Sequence, residues 1–405
     1  MPIFKEIPPT SGWKFRASDL FTKPSAKCLE DDFRDFLGVD SVFVAYSGTA
    51  ALYLIFESLR KISPKRTVII PAYVCPLVAL AAQKAGLRIK VCDINKENFD
   101  FNYDNLRSLC SEDKDILAIV AVHLGGIPLD FDRIKETAKG REIFLIEDCA
   151  HSMGAMYRGK KCGTLGDFSF FSLCRGKGLA IYEGGVLAVN KKEYSSVVTS
   201  TIKDVVRKNY VSEFFKIIEL LGYWIFYRPS LFWFVFKLPQ IFWNLGKNQD
   251  KAFGEEYDTE FDTHAVSGFR KLLGHKSFYR LGEEVAKQRE RALFYIKELT
   301  QIKGIKVVRE NSGDYATYPF LTVLFDEAEK RNEFFKKINR YGLGVSIVYL
   351  NAICDYDYLK DSLSCKTTDN ARDFSKRQLT FSTSAFLSDN DAKILIKMLR
   401  ETLSQ

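Results

Sequence analysis

Ile143-Phe144-Leu145-Ile146-Glu147-Asp148-Cys149-Ala150-His151, followed by Phe171-Ser172-Leu173, then Lys177, then Glu183-Gly184-Gly185, is the stretch that decides how this chain folds. The apolar run from Ile143 to Ile146 predicts a buried strand, which brings Asp148 out at its C-terminal end, where open α/β sheets place their ligands. A carboxylate there can hold a pyridine nitrogen protonated. Lys177 is the only lysine between Lys161 and Lys191 and follows the next strand by a few residues. In a partly desolvated site such an amine loses its proton readily and can condense with an aldehyde cofactor.

The same texture extends on both sides. Apolar strand-like runs at Thr67 to Pro71, Arg88 to Ile94, Ile116 to Val122, Ile143 to Cys149, Phe168 to Leu173 and Val186 to Asn190 alternate with helical spacing. The helical segments are Ala50 to Leu59, Pro76 to Ala85, Tyr103 to Cys110 and Phe131 to Ala138. This alternation predicts an α/β fold with a mostly parallel sheet covered by helices. Near Gly274 the pattern changes. Phe278 to Leu299 reads as one long charged helix joining two domains, and strands at Ile305 to Val308 and Tyr318 to Phe325 follow, with helices at Glu333 to Tyr341 and Asp389 to Leu403. The expected division is a large α/β domain over residues 1–275, with an N-terminal arm and an aromatic insertion at about 212–246, and a smaller α+β domain over 276–405.

Composition narrows the function classes. With 405 residues and 46% hydrophobic content the chain can bury a large core. The net charge of +8 is spread without a basic block, which argues against nucleic acid and leaves either a solvated surface or a preference for anionic partners. Nine cysteines without a CxxC pair suit reduced thiols and a cytoplasmic protein, and no metal site is expected. The start, Met1 to Glu6, lacks an apolar leader, and no uncharged stretch reaches the roughly 18 to 20 residues of a spanning helix. Phe214 to Leu245 holds three of the four tryptophans, broken by Lys216, Glu219, Arg228-Pro229, Lys237 and Pro239. Either it packs on the large domain or a subunit partner, or it makes peripheral membrane contact through its aromatics and cations.

Ser47-Gly48-Thr49-Ala50-Ala51-Leu52 follows an apolar stretch and opens a helix whose free amides can cradle a phosphate, although a simple N-cap has the same look. The whole series resembles the DegT/StrS family of sugar aminotransferases, dependent on pyridoxal phosphate. The motifs that carry the resemblance are Ser47-Gly48-Thr49-Ala50-Ala51-Leu52, Pro71-Ala72-Tyr73, Val91-Cys92-Asp93-Ile94, Val122-His123-Leu124-Gly125, Glu147 to His151, Gly163-Thr164-Leu165-Gly166-Asp167, Phe171-Ser172-Leu173, Lys177 and Glu183-Gly184-Gly185. The resemblance implies the aspartate aminotransferase fold (fold type I), a homodimer, and Lys177 as the Schiff-base lysine and proton carrier. It implies Asp148 at the pyridine nitrogen, His151 facing the cofactor's phenolic oxygen, Ala150 on one ring face, and Gly48, Thr49, Ala50 and Ser172 at the phosphate.

The implied reaction moves an amino group from an amino acid, glutamate by family precedent, to a keto group of a nucleotide-linked sugar. Alternatives are a sugar dehydratase or another small-molecule aminotransferase of the same fold, or a cofactor-binding protein without turnover attached to a membrane or an assembly. Family dehydratases carry histidine where this chain has Lys177. Two departures stand out. Cys75 occupies the place of the ring-stacking aromatic, with Tyr73 as a nearby substitute, and Thr263, His264 and Ala265 fall where relatives offer Asn and Arg from the neighbouring subunit.

Overall fold

The computed structural model describes residues 4–404 except 14, 22–25, 246–256 and 258–259, so Gly246 at the end of the aromatic segment lies outside it. Apart from a small hairpin (Met156–Tyr157 with Lys160–Lys161), seven described strands precede residue 190: β1 (Ser41–Ala45), β2 (Thr67–Pro71), β3 (Arg88–Cys92), β4 (Ile116–Val122), β5 (Phe144–Asp148), β6 (Phe168–Ser172) and β7 (Gly185–Val189). Five follow: β8 (Ile305–Val307), β9 (Phe320–Phe325), β10 (Val345–Ser346), β11 (Leu363–Ser364) and β12 (Gln378–Ser382). An eight-stranded sheet runs in the order β1-β7-β6-β5-β4-β2-β3-β11, and a four-stranded one runs β8-β9-β12-β10. β2, β4 and β7 are buried at every residue, the mark of strands covered on both faces.

All neighbours in the large sheet are parallel except β7, which runs antiparallel to both β1 and β6. Parallel strands need crossovers, and α1 (Gly48–Ile62), α2 (Pro76–Lys84), α3 (Tyr103–Glu112) and α4 (Phe131–Ala138) supply them. The reversal at β7 has a consequence for chemistry. The chain leaves β6 at Ser172 and returns at Gly185, so the loop between them, with Lys177, stays at the end of the sheet where Asp148 emerges. Gly185 lies against β1 so closely that a Cβ there would come within 2.3 Å of the Ser47 carbonyl oxygen, which explains the glycine.

The aromatic segment forms α5 (Tyr210–Phe226) and α6 (Leu238–Leu245). It is followed by α7 (Gly268–Phe278), α8 (Leu281–Leu299), α9 (Ala328–Ile338), α10 (Asp369–Arg377) and α11 (Asp389–Leu403). The long helix expected from Phe278 to Leu299 is α8, which starts three residues later because Phe278 closes α7. Arg280 turns inward between α7 and α8, buried, with its guanidinium 3.1 Å from Asp19 and 3.0 Å from the Ser277 hydroxyl, and the chain bends to let it. A correction concerns the thiols: Cys354 and Cys365 are disulfide-bonded, so the expectation that all nine stay reduced fails at this pair. The bond closes a loop that contains β11, the strand that the later part of the chain adds to the edge of the large sheet.

α5 packs on the large sheet's side of the molecule through Glu213, Leu220 and Tyr223, all buried. Its opposite face is apolar and exposed at Val211, Phe214, Phe215, Ile218, Leu221 and Ile225, spaced three or four apart and hence in one stripe. Among the described residues, no helix is long and apolar enough to cross a membrane.

Candidate active site

A cavity of about 470 Å³ opens at the C-terminal end of the large sheet. Of the residues selected from the sequence, Gly48, Thr49, Cys75, Asp148, Ala150, His151, Ser172 and Lys177 line it together. They come from three places that the parallel topology brings side by side: the starts of α1 and α2, the ends of β5 and β6, and the loop before β7.

Ser47 caps α1 through its hydroxyl, which accepts the Ala50 N–H at 3.0 Å. Ala50 is thereby satisfied and fully buried, and it does not reach the cavity wall, so the amides left for a ligand belong to Gly48 and Thr49. Ser172 lies directly opposite. A Cβ on residue 48 would sit 3.4 Å from the Ser172 Cβ, in ordinary contact, so the start of α1 and the end of β6 face each other closely here.

Asp148 is 5% exposed and accepts the Ala150 N–H at 2.9 Å. Burial pushes its carboxyl up to about 6, against the Ala150 hydrogen bond and the opposing pull of Lys177. Burial likewise lowers the ammonium of Lys177 below its usual range, which favours the neutral amine. His151 is pushed down by burial and by Lys177 and stays uncharged. Its Nδ1 accepts the Gly125 N–H at 3.4 Å, which leaves the proton on Nε2 to be donated to the Lys177 amine. The contact thus requires a lone pair on Lys177, consistent with its lowered pKa.

Tyr73 is not the ring-stacking substitute. Its ring packs in the core against Phe374 and Tyr349, and its hydroxyl bonds the Tyr349 backbone at 2.9 and 3.1 Å. The cavity wall at that place is Cys75 together with Tyr349, a residue that no local sequence pattern singles out. Tyr46, Glu183 and Arg175 also line the cavity. Glu183 accepts from Tyr46 at 3.2 Å and pairs with Lys216 of α5 at 2.9 Å. His264 meets the Tyr46 ring and the buried Glu213, whereas Thr263 and Ala265 do not line the cavity.

His123, Glu147 and Cys149 cluster closely enough to suggest a metal. His123 and Glu147 are otherwise occupied. Glu147 accepts backbone N–H groups from Gly163, Leu165 and Gly166 at 2.7, 2.6 and 2.8 Å, and His123 donates from Nε2 to Glu147 while Nδ1 accepts from Leu129. This network braces β5 under Asp148.

The donor set fits pyridoxal phosphate. Gly48, Thr49 and Ser172 offer a phosphate cradle at a helix N-terminus, Asp148 a buried carboxylate for a ring nitrogen, and Lys177 a neutral amine for an aldehyde, within one cavity of suitable size.

The sequence pattern of the DegT/DnrJ/EryC1/StrS aminotransferase family matches residues 13–223 and 264–400. UDP-4-amino-4,6-dideoxy-N-acetyl-beta-L-altrosamine transaminase of Campylobacter jejuni is 27% identical over 373 residues, covering 91% of this chain and 86% of that protein. GDP-4-keto-6-deoxy-D-mannose 3-dehydratase of Yersinia pseudotuberculosis is 35% identical over 182 residues, 44% of this chain and 46% of the relative. Among solved structures, the aminotransferase involved in pseudoaminic acid biosynthesis from Helicobacter pylori superposes with a TM-score of 0.76 at 16% identity, covering 99% of this chain and 100% of that one. That likeness establishes the fold, and the unmatched interval 224–263 holds most of the aromatic insertion after α5.

Proposed function

Because this chain belongs to the DegT/DnrJ/EryC1/StrS aminotransferase family, we propose that it moves an amino group from an amino acid, glutamate first among candidates, to a keto group of a nucleotide-linked sugar. The observation that carries the reading is the convergence of Lys177, Asp148 and the Gly48–Thr49–Ser172 cradle on one cavity. Pyridoxal phosphate, when bound, supplies an aldehyde for the amino group and a ring that takes up electrons from the carbon losing its proton.

The chain's own residues divide the remaining work. Gly48 and Thr49 amides with the Ser172 hydroxyl hold the phosphate and fix where the ring lies. Asp148 holds a proton on the ring nitrogen, and burial strengthens that charge pair once it forms. Lys177, whose buried ammonium gives up its proton more readily than a free one, would take a proton from the substrate carbon and hand it to the carbon on the other side of the transferred nitrogen. His151 keeps the Lys177 amine pointed into the cavity. A lysine at 177 favours amino transfer over the dehydratase alternative, in which histidine stands at that place.

The protein acts as a homodimer in this reading, with the bare apolar stripe of α5 covered by the second copy. Adding glutamate to the holoprotein should convert the cofactor's visible absorbance to that of its amine form, and a keto-sugar nucleotide should restore it. Absence of conversion with every proteinogenic amino acid would overturn the proposal.

A further inference from the structure

Resting on the nucleotide-sugar reading, we propose that Arg175 seats the diphosphate of the acceptor at the mouth of the Lys177 cavity. Arg175 lines the same cavity and stands two residues before Lys177. Its backbone N–H donates to the Tyr182 carbonyl at 2.7 Å and closes the loop that carries the lysine. Its guanidinium lies over the Tyr182 ring, 5.5 Å from the centroid. Tyr182 adopts φ 72°, a left-handed conformation that costs a non-glycine residue free energy and persists only where the surroundings enforce it. That conformation presents the ring to Arg175.

What separates Arg175 from the cations around it is that no carboxylate bonds it directly: Glu183 and Glu219 act on it only through space, and both are engaged by Lys216. Lys216 is held by Glu183 at 2.9 Å and Glu219 at 2.7 Å, and Arg270 is held by Glu213. Among the described residues, no carboxylate lies within ion-pair distance of Arg175, and its side chain is exposed at the cavity rim. A planar guanidinium with free N–H groups, steadied on an aromatic face, matches the paired oxygens of a phosphate.

Depth decides which substrate anion it meets. The donor's α-carboxylate is bonded to the reacting carbon and must enter as deep as Lys177. The acceptor's keto carbon goes to the same place, but its diphosphate hangs from the far side of the sugar and is left toward solvent. A rim cation therefore reads the acceptor.

The test uses holoprotein of the wild type, Arg175→Ala and Arg175→Lys, with calorimetric titration of uridine diphosphate, guanosine diphosphate and inorganic pyrophosphate. Arg175→Ala should weaken nucleoside diphosphate and pyrophosphate binding about tenfold or more, as expected for a lost charge-assisted hydrogen bond, with Arg175→Lys between. Cofactor affinity and the glutamate-driven spectral conversion should match wild type, and the acceptor's KM should rise with kcat retained. Unchanged diphosphate binding would overturn the inference. A parallel loss of cofactor affinity would reassign Arg175 to the cofactor phosphate, and loss of the glutamate step would reassign it to the donor; both also overturn it. Wild type that binds diphosphates but converts with no amino acid would sink the aminotransferase reading alone.

Discussion

Arg270 offers the sharpest test of how the site is held. Fully buried on α7, it bonds Glu213 of α5 through two nitrogens and donates to the carbonyl of Glu183, in the segment that follows Lys177. Burial raises the Glu213 carboxyl, but its hydrogen bonds and charge pairing with Arg270 outweigh this and leave it below the usual range. In Arg270→Ala the carboxylate would keep only the Ser267 N–H at 2.7 Å and the His264 contact at 3.2 Å, and would remain buried. Breaking one side of such a pair costs about 3–5 kcal/mol. The double variant Glu213→Leu/Arg270→Met removes both charges, and its remaining loss should be about 1–3 kcal/mol, mainly from the orphaned Glu183 carbonyl. Urea unfolding followed by tryptophan fluorescence, at fixed protein and cofactor concentrations, measures both. The reasoning is refuted if the single variant loses less than about 1 kcal/mol, or if the double loses as much as the single.

Three further outcomes are expected. Lys177→Ala should abolish the visible absorbance of the bound cofactor while circular dichroism stays native; an unchanged spectrum would remove Lys177 from the chemistry. Asp148 is ionised in the apoprotein only above about 6, so the proton it must hold on the ring nitrogen has a full countercharge only there. Wild-type affinity for the cofactor should fall as pH drops through that value, and titration of Asp148→Asn should lose that step. Phe215→Glu combined with Ile218→Glu places charge in the exposed stripe of α5 and should shift the sedimentation coefficient from dimer to monomer. If it stays dimeric while wild type co-sediments with anionic liposomes, the stripe faces lipid.

The sequence was legible where a site is built from short-range order. Asp148 ends a strand whose apolar run is visible in isolation, and Ser172 and Lys177 share one strand and loop. The expected strand runs from Thr67 to Asn190 agree with β2 through β7 to within a few residues. Illegible were contacts made by folding distant segments together. Tyr349 reaches the cavity from beyond α9, and Lys216 comes from α5 to pair with Glu183. Tyr73 misled because nearness in sequence to Cys75 says nothing about facing: the chain turns at the start of α2 and sends the two side chains apart. The Cys354–Cys365 bond eluded spacing arguments because it is a short loop closure without a motif, and β11, two residues long, gives too few positions for periodicity.

α5, which leads into the unmatched interval, belongs to the argument about function. An ordinary surface helix turns its apolar face inward and its charges outward. Here Glu213 and Lys216 turn inward to Arg270 and Glu183, Tyr223 reaches the Gly176 N–H at 3.3 Å, and the phenylalanines turn outward. An isolated monomer gains nothing from that arrangement, since exposed apolar surface is a cost and buried charge offsets it poorly. The inversion makes sense when both faces are covered, one by the loop carrying Lys177 and the other by an apolar partner. Covering the outer face then steadies α5, and through Lys216 and Tyr223 it steadies the loop. A variant that exposes the stripe should therefore weaken cofactor retention as well as association, and loss of association with cofactor retention unchanged would separate the two faces.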